Sequence, residues 1–297
     1  MNIAMTRREF AALAGAVVLA SPASAQTGEF MTRAIPGSGE RLPAVGLGTA
    51  YVFDRNDETT RQKAAAVVQA LVGGGGSLID TSSAYGDAEA VLGEVIAAAA
   101  LRDKLFIATK LESPDAAELK RSQTRLKTEK LDLLQLHNVR DPQQSLAQFR
   151  KWKEQGIWRY IGITSTRHGD FAAVQAILQR DKPDFVQIDY SVDDREAEKR
   201  ILPLAAEVKC GVLTALPFGR GRLFRAVHGK ELPDWAKAFA GSWAQFFLKY
   251  LLGDPRVTAV IPGTADPAHM TDNLGAMRGP LPDADQRRRM AEFVASL

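Results

Sequence analysis

The sequence predicts an α/β protein, a single (β/α)8 (TIM) barrel with an N-terminal β-hairpin. Three observations carry that prediction. From Thr32 onward, short apolar runs alternate strictly with longer amphipathic stretches, eight times over. The runs are apolar on both faces, as parallel strands buried beneath helices are. No glycine-rich dinucleotide fingerprint follows any of them, and strict alternation over eight units closes into a barrel far more often than it opens into a doubly wound sheet. A length of 297 residues suits one domain of this kind.

In chain order, the first 25 residues stand apart from the fold. TRREF (Thr6 to Phe10) is basic, AALAGAVVLA is apolar, and Ala23-Ser24-Ala25 is a small-x-small cleavage site, so residues 1–25 read as a cleaved signal peptide. The apolar run is about half of the ~20 residues that a membrane span requires. Arg7-Arg8, with Thr6 before and Phe10 after, resembles the twin-arginine export signal. The expectation is a protein handed to the twin-arginine machinery already folded, located in the periplasm or secreted, with no membrane anchor after cleavage.

Residues 26–297 are expected to form the barrel. TRAIPGSGERLP places turn chemistry, Pro36-Gly37-Ser38-Gly39, between two extended pieces and reads as the hairpin. Strands are expected at 44–49, 77–80, 105–109, 131–137, 160–164, 185–189, 211–215 and 258–263. Helices are expected near 58–72, 87–99, 114–127, 142–155, 168–179, 194–206, 241–252 and 267–276, with a last one at 283–295. The glycine run Gly73 to Gly76 lies between a helix and a strand. Phosphate loops run from strand into helix, so this run reads as a helix stop.

Composition excludes some functions. A net charge of +3 on 38 basic and 35 acidic residues argues against a dedicated nucleic-acid binder. Cys210 is the only cysteine and cannot form an internal disulfide. The four histidines and this cysteine show no zinc spacing, and no metal is expected.

Barrel chemistry sits at the carboxyl ends of the strands. The second strand ends in Asp80, with Tyr85 five residues on in DTSSAYG; the third ends in Thr109-Lys110; the fourth in His137-Asn138. Singly, each has an ordinary structural reading: a turn cap, a packing ring, a snorkelling amine, a core histidine. Together they present an acid, a phenol, an amine and an imidazole at one mouth. A lysine closing the apolar strand LFIATK needs a partner, and Asp80 on the neighbouring strand is the obvious one. Reducing a carbonyl by hydride leaves negative charge on oxygen, which must be protonated. A phenol with a pKa of about 10 needs tuning for that work. The expectation is that the lysine cation favours the phenolate and lowers that value, the aspartate holds the lysine, and the histidine orients the substrate oxygen.

The runs GLGTA, LIDTSSAYGDAEAVLGEVI, FIATK, LDLLQLHN, YIGIT, FVQIDYS and VIPGTADPAHMTDN, in this order from about Leu42 to Met277, resemble the aldo-keto reductases. The resemblance implies NAD(P)-dependent hydride transfer between nicotinamide and the carbonyl or alcohol of a small molecule. It makes Asp80, Tyr85, Lys110 and His137 the catalytic residues, with Tyr85 as proton donor. It implies cofactor contacts at Thr164, Ser165, Gln187, Gly219 and Gly221 of PFGRGR, Gly263, Thr264, His269, Asp272 and Asn273. A substrate pocket lined by Tyr51, Phe53, Asn138 and Phe218 and a monomeric state are expected with it. Gly263 and His269 stand where many members carry a lysine and an arginine that grip the 2′-phosphate. NADP(H) is therefore the first expectation and NAD(H) stays open. Ala215 stands where many carry an aromatic that stacks on nicotinamide, and the chain lacks a long carboxyl-terminal loop. A nucleotide-binding or sensing barrel with little turnover is the alternative. A Schiff-base aldolase using Lys110 is disfavoured, because a lysine beside a carboxylate stays protonated.

Overall fold

The computed structural model describes residues 30–297, so the twin-arginine signal peptide expected over residues 1–25 lies outside the described residues. Strands β1 (Thr32–Ala34) and β2 (Arg41–Pro43) pair antiparallel, Thr32 against Pro43, as the expected hairpin. Its apolar positions close the floor of the barrel. Ile35 and Leu42 pack into the interior cluster with Leu78, Phe106, Tyr160, Phe185 and Leu213, burial worth about 1.5–3 kcal/mol for each aliphatic side chain. Polar clamps hold the plug in place. Tyr160 Oη donates to Glu40 Oε2 at 2.6 Å and Arg159 Nη1 donates to the same oxygen at 2.7 Å.

The barrel follows as β3 (Leu47–Gly48), β4 (Leu78–Asp80), β5 (Phe106–Leu111), β6 (Leu131–His137), β7 (Trp158–Ser165), β8 (Phe185–Asp189), β9 (Gly211–Ala215) and β10 (Ala259–Val260), parallel and in chain order. It closes through the parallel bridges Val45↔Val260 and Gly48↔Gly263, with Gly48 N donating to Pro262 O at 3.0 Å. The backbones approach closely at this seam: a Cβ on Gly48 would lie 2.9 Å from Ile261 O. The first and last strands are shorter than the expected 44–49 and 258–263. Proline 262 has no N–H to extend the ladder, and only isolated bridges continue it.

Outside lie α1 (Glu58–Gly73), α2 (Ala88–Ala98), α3 (Ala116–Arg125), α4 (Pro142–Glu154), α5 (Phe171–Asp181), α6 (Glu196–Lys199), α7 (Ile201–Glu207), α8 (Arg222–Ala226), α9 (Trp243–Leu252), α10 (Pro267–Gly275) and α11 (Ala284–Ala295). Several start on caps visible in the sequence. Asp57, Asp115, Ser242 and Asp266 each accept a backbone N–H of the first turn, and Asp283 with Gln286 forms a capping box. The helix expected over 194–206 is instead two pieces broken at Arg200. Pro203 cannot donate to the Lys199 carbonyl, but is tolerated in the first turn of α7, where donors are unpaired anyway. Among the described residues no helix is long and apolar enough to cross a membrane.

Candidate active site

Strand periodicity places the polar residues. Side chains alternate between the barrel interior and the helix layer. Leu78, Ala108, Leu133 and Phe185 are interior positions. Two residues further on, on the same face and nearer the mouth, stand Asp80, Lys110, Gln135 and Gln187, and His137 follows Gln135 by two more. The register aligns them across strands: Lys110 opposes Gln135, His137 opposes Thr164, and Thr164 opposes Gln187. The apolar floor thus passes into a polar upper layer.

Lys110 and Asp80 are 1% and 2% exposed. Lys110 Nζ donates to Asp80 Oδ2 at 2.6 Å and to Thr81 O at 2.7 Å. Burial, the largest influence, pulls the Lys110 pKa down; the Asp80 carboxylate and Tyr85 together outweigh it, and the amine is held above its usual value. Lys110 Nζ also lies 5.0 Å from the centroid of the Tyr85 ring, which meets His137 edge-on at 5.9 Å. A turn after β4 brings Tyr85 here, with Tyr85 N donating to Ser82 O at 3.1 Å.

The net electrostatics correct one expectation. Lys110 does pull the phenol's pKa down, but burial outweighs it and the Tyr85 pKa is raised. Tyr85 therefore stays a neutral proton carrier at neutral pH, with the cation poised to stabilise the phenolate left after proton loss. His137 is lowered to about 4, by burial first and then by Lys110, Arg140 and Arg167. A neutral imidazole has one N–H to donate and no proton to spare, which suits orientation of a substrate oxygen.

This shift carries a stability signature. Between pH 6.5, the unfolded value, and about 4 the unfolded chain binds a proton at His137 that the folded chain refuses. Stability at this position is thus lost as pH falls through that window. Urea unfolding at stepped pH is expected to show a smaller acid loss in His137→Asn than in the parent. Equal slopes in both would contradict the assignment.

A cleft of about 770 Å³ opens at the mouth, and its wall includes Asp80, Tyr85 and His137. Of the residues the resemblance pointed to, Thr164, Gln187, Gly221 and Gly263 line it, as do Tyr51, Asn138 and Phe218. Ala215 is on the wall too, with Phe218 nearby, itself packed against Phe224 at 4.7 Å. Other expected residues lie outside the cleft. Phe53 is wholly buried in the core, because its apolar ring packs inward while Tyr51 projects out, so it is not a pocket residue. The Ser165 hydroxyl donates to Asp170 Oδ2 at 2.7 Å. Gly219 is buried in the turn before α8. Thr264, His269, Asp272 and Asn273 sit in and just before α10. There Thr264 Oγ1 accepts from Asp266 N, Asp272 accepts from Gln245, Asn273 is buried and His269 is exposed. Sequence reasoning missed two residues. Arg220 lines the cleft from a left-handed backbone (φ 54°) that no composition signal marks. Gln135 is wholly buried beside Asp80, and its alternation with Leu133 and His137 could have revealed it.

The aldo/keto reductase family model matches residues 44–292. The chain belongs to the aldo/keto reductase family. As a member it is an NAD(P)H-dependent oxidoreductase. It is 29% identical over 256 residues to the methylglyoxal reductase YeaE of Escherichia coli K12, covering 82% of this chain and 88% of that one. It is 30% identical over 248 residues to an aldo-keto reductase of Mycolicibacterium smegmatis, covering 78% and 81%. The crystal structure of a Klebsiella pneumoniae aldo-keto reductase in complex with NADPH superposes with a TM-score of 0.76 at 25% identity, covering 90% and 96%.

Proposed function

We propose that this reductase reduces the carbonyl of a small aldehyde, ketone or sugar-like substrate with NADP(H), Tyr85 being the proton donor. The observation that carries the reading is a neutral, largely buried phenol on the cleft wall, set against the fully buried Lys110–Asp80 pair. The cleft suits a nicotinamide dinucleotide: Thr164 and Gln187 offer amide-reading groups, Arg220 a cation for phosphate, and Gly263 an unobstructed wall. In this reading Thr164 and Gln187 hold the carboxamide, the Arg220–Gly221 turn holds the pyrophosphate, and α10 receives the adenosine end. The bound nicotinamide supplies the hydride. Tyr85 Oη gives its proton to the carbonyl oxygen as charge develops there. Lys110 stabilises the phenolate, Asp80 keeps Lys110 charged, and the His137 N–H orients the carbonyl. The Klebsiella relative's NADPH and the methylglyoxal activity in the name of YeaE support the choice of cofactor and of a small aldehyde.

The test is nicotinamide absorbance with methylglyoxal and a panel of small aldehydes and sugars, NADPH against NADH. Turnover with both is expected, with NADPH preferred by roughly tenfold or less, because Gly263 supplies no cation and a charge-assisted contact is worth about 1.5–3 kcal/mol. Tight nucleotide binding without oxidation of NADPH by any carbonyl would favour a sensing barrel instead.

A further inference from the structure

The amide of Gln135 is the buried group in the upper layer to which the reaction assigns no role. Its Nε2 donates to Asp80 Oδ1 at 3.2 Å and to Gln187 Oε1 at 2.8 Å, while Gln187 Nε2 donates to Asp80 Oδ2 at 3.3 Å. The three side chains form a closed ring of hydrogen bonds. Only one arrangement of the two amides is compatible with it. Asp80 held by charged Lys110 is an acceptor only, so both amides must turn their NH2 groups toward it. That leaves Gln187 Oε1 to accept from Gln135. Turning either amide over would set oxygen against oxygen among buried side chains. The fold makes room for this side chain: a Cβ on Gly162 of β7 would come within 3.2 Å of Gln135 Cγ and 2.9 Å of Phe185 O. Gln135 Oε1 is buried without a partner, a cost of about 1–3 kcal/mol that a purely structural residue, replaceable by leucine, would not carry.

We propose that Gln135 is a positioning residue that links the two halves of the site, fixing the amide of Gln187 toward the nicotinamide subsite and sharing the charge of Asp80. The inference rests on the cofactor reading above for its first half, whereas its second concerns groups of the protein alone. Without the Gln135 donor, Asp80 is less compensated, draws more of the Lys110 charge to itself, and leaves Lys110 less able to lower the Tyr85 pKa. The phenol then ionises at higher pH.

The test uses Gln135→Met, which keeps volume and removes the donors, alongside Gln187→Met and the double variant. NADPH affinity is read by fluorescence titration. Tyr85 ionisation is read by ultraviolet difference spectroscopy in nucleotide-free protein against a Tyr85→Phe blank. Gln135→Met is expected to weaken NADPH roughly five- to tenfold, the worth of one or two buried hydrogen bonds. The double variant is expected to bind no more weakly than the weaker single, because both act at one amide. Tyr85 ionisation is expected to move upward by about half a pH unit, a fraction of a charged hydrogen bond's worth. A folded Gln135→Met with lowered thermal midpoint but unchanged NADPH affinity and Tyr85 ionisation would overturn the proposal, leaving Gln135 a packing residue. If Gln135→Met does not fold, Gln135→Asn, whose amide is one methylene shorter and is withdrawn from both Gln187 and Asp80, must show the same two shifts. A parent protein that binds NADPH yet turns over no carbonyl would sink the proposed reaction while both readouts still decide on Gln135.

Discussion

Tyr85→Phe is expected to lower kcat by ~10²-fold or more, the usual worth of a positioned general acid. Lys110 hydrogen-bonds the Tyr85 hydroxyl, but the edge-on contact with His137 and the placement of the cation over the ring involve its aromatic body. Phenylalanine keeps these ring contacts, so the variant should fold and bind NADPH with nearly the parent affinity. Single-turnover oxidation of bound NADPH separates the effect from product release. The proton still has to come from somewhere, and in the variant only water can supply it. His137, lowered to about 4, is neutral at working pH and is no substitute donor. Turnover within about threefold of the parent would remove Tyr85 from the chemistry, since general acid catalysis is worth far more than that.

Lys110→Met removes the cation and strands Asp80, 2% exposed, with amide donors only. Breaking a buried pair from one side costs about 3–5 kcal/mol, more than the pair itself contributes. Turnover at neutral pH is expected to fall to a trace, with the alkaline limit of what remains extended to higher pH. Burial already raises the Tyr85 pKa, and Lys110 is the group that opposes it. Without the amine the phenol's pKa climbs further, so the alkaline limb of the rate profile moves up. Stability responds with the opposite sign to an ordinary salt-bridged carboxylate. Asp80 in the variant has a folded pKa above its unfolded one, so its stability is present at acid pH and is lost as pH rises through the folded value. Urea unfolding at pH 5 and pH 8 checks this, the variant being the weaker at pH 8. Adding Asp80→Asn should restore stability but not turnover. A Lys110→Met protein with the parent's pH profile would make the lysine structural only.

Asp80, Lys110 and His137 were legible in the sequence because each ends an apolar run, and a charged group placed there must be buried, paired or functional. Strands β6, β8 and β9 were legible to the residue for a related reason: continuous apolar runs bounded by turn chemistry leave little freedom in their ends. The break at Arg200 could have been read from Pro203, a local rule outvoted by apolar periodicity. Closure decided the rest. Alternation says that Leu133, Gln135 and His137 share a face, but only the closed barrel says that this face is the interior and that Gln135 meets Gln187, 52 residues away. Tyr51 and Phe53 have the same parity and the same aromatic character, and a turn at the left-handed Tyr51 sends one to solvent and the other into the core. The sequence by itself determined which chemical groups reach the barrel mouth, because strand order and period are local properties. Only the tertiary structure decided the protonation state of Tyr85, because desolvation and the Lys110 field oppose each other there, and their balance depends on how many layers of other residues exclude water from the ring.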